Sequence, residues 1–94
     1  MTIAVLGTLD SKGHEHAFVA DLIRKKGHHV HLIDLGTGGK PQVEPDVSRF
    51  EVAASISLDL QALIDKQDRG ECVVAMSKAA PVFLSKLASD GKID

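Results

Sequence analysis

The sequence predicts an α/β fold built on parallel strands, and three observations carry that prediction. A short unbroken apolar run, Ile3–Ala4–Val5–Leu6, opens the chain and ends at Gly7. A second strand-like run, residues 29–35, follows one helix-length segment. The chain beyond residue 47 reads as helical. An apolar run with no polar alternation suits a strand buried on both faces. Strand, helix and strand within roughly 35 residues form a βαβ unit, whose right-handed crossover makes the strands parallel.

The elements follow in order. The first strand runs out into Gly7–Thr8–Leu9–Asp10–Ser11–Lys12–Gly13. Asp10 or Ser11 is expected to cap the next helix, because both side chains accept from free backbone N–H groups. Glu15 adds negative charge to its first turn. Phe18 and Leu22, with Val19 and Ile23 beside them, are expected to form the apolar stripe that faces the sheet. Gly27, after Arg24–Lys25–Lys26, is the expected stop.

In the second strand Val30, Leu32, Ile33 and Leu35 are apolar, interrupted by His31 and Asp34. Residues 36–47 read as loop, because Gly36, Gly38, Gly39, Pro41 and Pro45 fit neither a helix nor a central strand. Ser48 and Glu51 form a capping box before Val52–Ala53–Ala54. Leu58, Leu60, Leu63 and Ile64 mark a short helix. Asp68 and Glu71 cap a longer one carrying Val73, Met76, Ala80, Phe83, Leu84 and Leu87, with a kink expected at Pro81 and an end at Gly91. The fold class is therefore α/β, a Rossmann-like parallel sheet in an incomplete, N-terminal portion. It has two strands and three to four helices, with no internal boundary over residues 1–94. Two parallel strands with several amphipathic helices leave a sheet unfinished. Either a third strand from a longer parent chain or a homo-oligomeric partner is expected to complete it.

Composition narrows the function classes. Hydrophobic and charged fractions of 44% and 26% are those of a globular chain. With three Phe and no Trp or Tyr, the chain lacks the stacking platforms of single-strand nucleic-acid binders. A net charge of −2 shows no basic stripe, so no nucleic-acid partner is expected. Arg24–Lys26 read as cations complementing a helix C-terminus. No uninterrupted apolar run approaches the roughly 18 residues of a span, and no signal peptide is visible. No membrane partner is expected. Cys72 is the single cysteine, so no internal disulfide forms and a cytoplasmic location fits.

Five features of the sequence bear on chemistry. Ligands of α/β sheets sit where strands end and helices begin. At the first such point Gly7 permits close approach, Thr8 and Ser11 offer hydroxyls, and Lys12 offers a charge, which suits a phosphate. Asp10 is placed to hold Mg²⁺ or to cap the helix. The competing reading is an ordinary capped turn. Neither the P-loop nor the G-x-G-x-x-G spacing is present. Asp34, at the end of the second strand, stands where dinucleotide folds carry a ribose-binding carboxylate; its alternative role is to hydrogen-bond the glycine loop. Gly36–Lys40 resembles half a phosphate loop, but Pro41 follows it, and a solvated loop is the better reading. His14 and His16 point apart, while His29 and His31 share a strand face. No metal site is assigned. Cys72 has no histidine near it in sequence and reads as a buried spectator.

Four segments together resemble one family: I-A-V-L-G-T-L-D-S-K-G-H-E at residues 3–15, L-I-D-L-G at 32–36, P-D-V-S-R-F-E-V-A at 45–53 and D-R-G-E-C-V-V-A-M-S-K-A-A at 68–80. The family is the ATP-binding N-terminal domain of the tomato mosaic virus resistance protein and its uncharacterised bacterial and fungal relatives. The resemblance implies a Rossmann-like domain that binds ATP, within proteins that continue well past this length. Its G-T-x-D-(T/S)-K-G-x-E pattern falls on Gly7, Thr8, Asp10, Ser11, Lys12, Gly13 and Glu15, and its D-x-G on Asp34 and Gly36. His14 stands where relatives often carry an acidic residue.

The leading expectation is a nucleotide-binding module for ATP, with or without Mg²⁺. The turn at Thr8–Lys12, with Asp10 and Ser11, would contact phosphate and Asp34 the sugar or metal, and Gly7 and Gly36 complete the nucleotide-binding set. The alternatives are a fragment of an enzyme acting on a small phosphorylated or carboxylated metabolite, and a self-associating scaffold domain. No catalytic residue is legible.

Overall fold

A computed structural model describes residues 1–93. Its elements are β1 (Thr2–Gly7), α1 (Leu9–Lys25), β2 (His29–Asp34), α2 (Arg49–Ala54), α3 (Leu60–Asp65) and α4 (Arg69–Ser89). β1 and β2 pair in parallel, from Thr2 opposite His29 to Gly7 opposite Asp34. Among the described residues the fold is α/β, a two-stranded parallel sheet with four helices, as the N-terminal portion of a Rossmann-like domain would be.

Side chains alternate across the two strands and build a core on each face of the sheet. Val5, Leu9 and Leu32 gather with Ile23 and Val30 on the α1 face. Ile33, flanked by Ala4, Leu6 and Leu35, packs with Val52, Leu60, Met76, Ala79 and Leu87 on the other. The outer edge of β2 is occupied by the loop. Val47 bridges Ile33 in parallel, and the amide of Asp34 donates to Val47 O at 3.0 Å.

α1 departs from expectation twice. It begins at Leu9 with Thr8 as N-cap, and the Thr8 side chain makes no capping hydrogen bond. Neither Asp10 nor Ser11 takes that role, because Asp10 spends its carboxylate on the amide of Gly38, 3.1 Å away. Lys12 has non-helical backbone angles (φ −125°), which breaks the first turn from the rest. Second, the stripe is rotated. Gly13 and Ala20 are buried against the body of the protein, whereas Phe18 is 65% exposed and Val19 and Leu22 are exposed with it. Small residues on the inward side let the helix sit close: a Cβ on Gly13 would come within 2.8 Å of Gln42 Cβ, in the loop after β2. Apolar spacing alone does not distinguish that seat from an outer face. Gly27 follows the helix at φ +90°, the left-handed conformation its missing Cβ permits.

The later helices start as their caps direct. Ser48 and Glu51 form the reciprocal capping box of α2. Asp59 accepts from Ala62 N at α3, and Asp68 from Glu71 N at α4. α4 runs through Pro81 without a residue leaving helical angles, so the expected kink is absent as a break. The proline removes one donor to Ser77 O, at a residue that lies exposed. Val73, expected on the buried stripe, is exposed. By length and composition α4 is apolar enough to cross a membrane, with a mean hydropathy of 1.3 over its best 18 residues, of which 22% are buried. Lys78 interrupts the apolar run of this helix, so its high hydropathy is a property of the average and not of an unbroken stretch.

Candidate functional site

The carboxyl ends of β1 and β2 open onto two segments: the turn Gly7–Lys12 and the loop Leu35–Lys40. Parallel pairing puts both at one edge of the sheet. The amide of Leu35 donates to Gly7 O at 2.8 Å, so the segments leave the sheet side by side.

The loop is shaped by charged side chains that grip its backbone. Asp34 is 1% exposed. Its Oδ1 accepts from Gly36 N at 2.7 Å and from Leu9 N at 3.3 Å. Its Oδ2 lies 3.5 Å from Arg49 Nε. Arg49, at the first position of α2 and 5% exposed, donates through Nη1 to Gly38 O at 3.0 Å and through Nη2 to Gly39 O. Asp10 Oδ2 accepts from Gly38 N. Three side chains from three elements thus hold a four-residue glycine loop. A buried ion pair is tolerable when the remaining donors and acceptors are also satisfied, and here they are filled by peptide groups. The glycines are required by this packing. A Cβ on Gly36 would lie 2.7 Å from Asp10 Oδ1 and 2.9 Å from Asp34 Oδ1, and one on Gly38 would lie 2.8 Å from Asp10 Oδ2.

The expected residues divide into two groups. Asp10, Asp34 and Gly36 come together as the frame of the loop. Asp34 faces the protein and takes the loop-holding role that was the alternative to ribose contact. Thr8, Ser11 and Lys12 lie exposed on the turn. The hydroxyls of Thr8 and Ser11 are 3.1 Å apart, and Ser11 also donates to Thr8 O at 3.4 Å. Gly7 lies against the imidazole of His16, whose Nδ1 is 2.7 Å from Lys12 O. Sequence reasoning missed Arg49, because nothing in a single arginine after a capping serine announces that it folds back onto a loop ten residues earlier. It also missed Gln42, which donates from its amide to Leu9 O at 2.8 Å and accepts from His14 N through Oε1 at 3.3 Å.

Of the clefts that adjoin these segments, one of about 380 Å³ lies between Gly38–Pro41, Arg49 and Phe50, and two others border expected site residues. One of these two, of about 360 Å³, lies between Asp10, Thr37–Gly39 and the start of α4 at Asp68, Arg69 and Cys72. The other, of about 220 Å³, is largely apolar and lies between Thr8, Leu35, Thr37 and the Val73–Ala80 part of α4. Thr37 borders both. A further cleft of about 350 Å³, beside His31, Phe83 and Lys86, is lined by none of the expected site residues. Among the described residues no group of three or more His, Cys, Asp or Glu could hold a metal ion by itself.

The family model that matches describes the N-terminal domain of the uncharacterised protein family UPF0261, and it covers residues 1–94. The chain belongs to that family. Family proteins from Clostridium tetani and Brucella suis are 35% and 34% identical to it, over 94% and 98% of the chain. One from Rhizobium meliloti is 37% identical over 87%. The chain spans about a fifth of the length of these relatives, 22% of the first two and 20% of the third. No solved structure matches it.

Proposed function

We propose that this UPF0261 domain is a nucleotide-binding module, with ATP as its ligand. The observation that carries the reading is the cleft of about 360 Å³ at the carboxyl edge of the parallel strands, bordered by Asp10 and Thr37–Gly39. That is where α/β sheets receive ligands, and the volume falls within the usual range for small-molecule sites. The neighbouring apolar cleft, reached past Thr37, suits a base, and the polar one suits phosphates. Thr8 borders the apolar cleft, and Ser11 and Lys12 follow it as exposed donors on the same turn.

Asp10 and Asp68 are carboxylates bordering the polar cleft, so a bare polyphosphate would be repelled there. Magnesium fits this donor set, because it binds through one or two carboxylates with the rest of its shell from phosphate and water. Asp10 and Asp68 would hold it, and Arg69 would offset phosphate charge. The resemblance of the Gly7–Glu15 pattern to the ATP-binding domain of the tomato mosaic virus resistance protein favours ATP over other phosphate ligands. The buried, unpaired Cys72 suits the cytoplasm.

The test is calorimetric titration of the full-length protein with ATP, with and without Mg²⁺. Lys12→Ala and Asp10→Ala should each weaken binding about tenfold or more, the loss expected for a charge-assisted contact. Wild-type affinity in both variants rejects the site.

A further inference from the structure

Among the described residues β1 pairs as a strand with β2. The amide of His29 donates to Met1 O and that of Leu35 to Gly7 O, which fixes the alternation of the ladder between them. Ile3, Val5 and Gly7 turn their peptide groups toward β2; Ala4 and Leu6 turn theirs to the outer edge. In the described residues the sheet contains only β1 and β2. β2 cannot accept a further strand in the same way, because Asp46 and Val47 already bond to Leu32 and Asp34 along its outer edge.

We infer that the outer edge of β1 receives a third parallel strand from polypeptide outside these 94 residues, giving the strand order 2-1-3. Handedness selects that edge. α1 covers one face of the sheet and α2–α4 the other. A right-handed crossover from β1 through α1 moves the chain one way across the sheet. A right-handed crossover from β2 through helices on the opposite face moves it back, past β1. The bed is already present. Ala4 and Leu6 pack against the core that α2, α3 and α4 build on that face of the sheet. The Val73–Ala80 flank of α4 meets Thr8 and Leu35 in an apolar cleft, and Val73 is exposed. α4 itself, apolar yet only 22% buried over its best window, is a helix with too little sheet to cover. The occupant is available, since the relatives are between four and five times as long as this chain. An apolar strand buried between α1 and α4 is the chemistry that edge accepts. The consequence for the site is specific. The chain would leave β1 and the new strand toward opposite faces, so the crevice between their carboxyl ends opens beside Thr8.

The strand can be tested without any ligand, which keeps its failure separate from that of the nucleotide reading. Residue-resolved amide exchange is measured on the full-length Clostridium tetani relative at the positions aligned with Ala4, Val5 and Leu6. Slowing at Ala4 and Leu6 on the order of a hundredfold or more over open peptide, matching Val5, is expected. Unslowed exchange at Ala4 and Leu6 beside a protected Val5 overturns the inference. Protection that vanishes on dilution, in step with dissociation of a dimer by sedimentation, also overturns it, because it assigns the edge to a second copy.

Discussion

Arg49 closes on Asp34 from below the glycine loop, with 3.5 Å between Nε and Oδ2 and both side chains buried. The pair joins the end of β2 to the start of α2, and each partner uses its remaining polar atoms on the peptide groups of the loop between them. It therefore works as a clamp on Gly36–Gly39.

Removing one half of this clamp should be costly. Arg49→Met leaves the Asp34 carboxylate buried and uncompensated, and should destabilise the domain by about 3–5 kcal/mol. Adding Asp34→Asn should recover a large part of that loss, since an amide oxygen still accepts from Gly36 N and Leu9 N. Urea midpoints at constant slope read both effects.

The two ends of the loop should respond differently to the same substitution. Gly36→Ala drives a methyl group against Asp10 and Asp34 and should cost about 1–3 kcal/mol, as overpacking does. A Cβ on Gly39 meets nothing within 4 Å, so Gly39→Ala should stay within about 0.5 kcal/mol of wild type. Equal effects at the two positions would mean that the frame drawn here does not hold the loop.

The rotated stripe of α1 gives a paired expectation on this domain. Phe18→Ser should change stability by no more than about 0.5 kcal/mol, although a core phenylalanine would cost several times that. Ala20→Leu, at a fully buried position, should cost about 1–3 kcal/mol. Thermal melts of the two variants should separate clearly, with only Ala20→Leu shifted down.

Ser48→Ala removes the hydroxyl that accepts from Glu51 N at 3.2 Å. About 1 kcal/mol of stability should go with it. Because α2 carries Arg49, faster amide exchange at Gly36 should accompany the loss.

Gly7→Ala should displace the His16 ring and break its hydrogen bond to Lys12 O, a loss of about 1 kcal/mol. In a His16→Ala background the same substitution should be close to neutral. A double-mutant cycle isolates that coupling.

Local chemistry made much of this fold legible. Ser48, Asp68, Gly27 and Gly91 mark helix ends because capping acts over three or four residues. The parallel pairing followed from an apolar run, a helix and a second run. Phe18 and Leu22 lie outside because spacing reports that a face is apolar without reporting which face turns inward, and the small Gly13 and Ala20 are the residues buried there. The site was half legible. Asp10, Asp34 and Gly36 stood out at strand ends, where side chains must meet. Arg49 and Gln42 did not, since their partners are brought to them only by tertiary folding.

Every grip on the glycine loop is made to its main chain: Gly36 N, Gly38 N, Gly38 O and Gly39 O. The side chains of Thr37 and Lys40 carry none of that restraint. Evolution can thus rewrite those two positions while the curve of the loop persists, and one rigid frame can be retuned from one guest molecule to another.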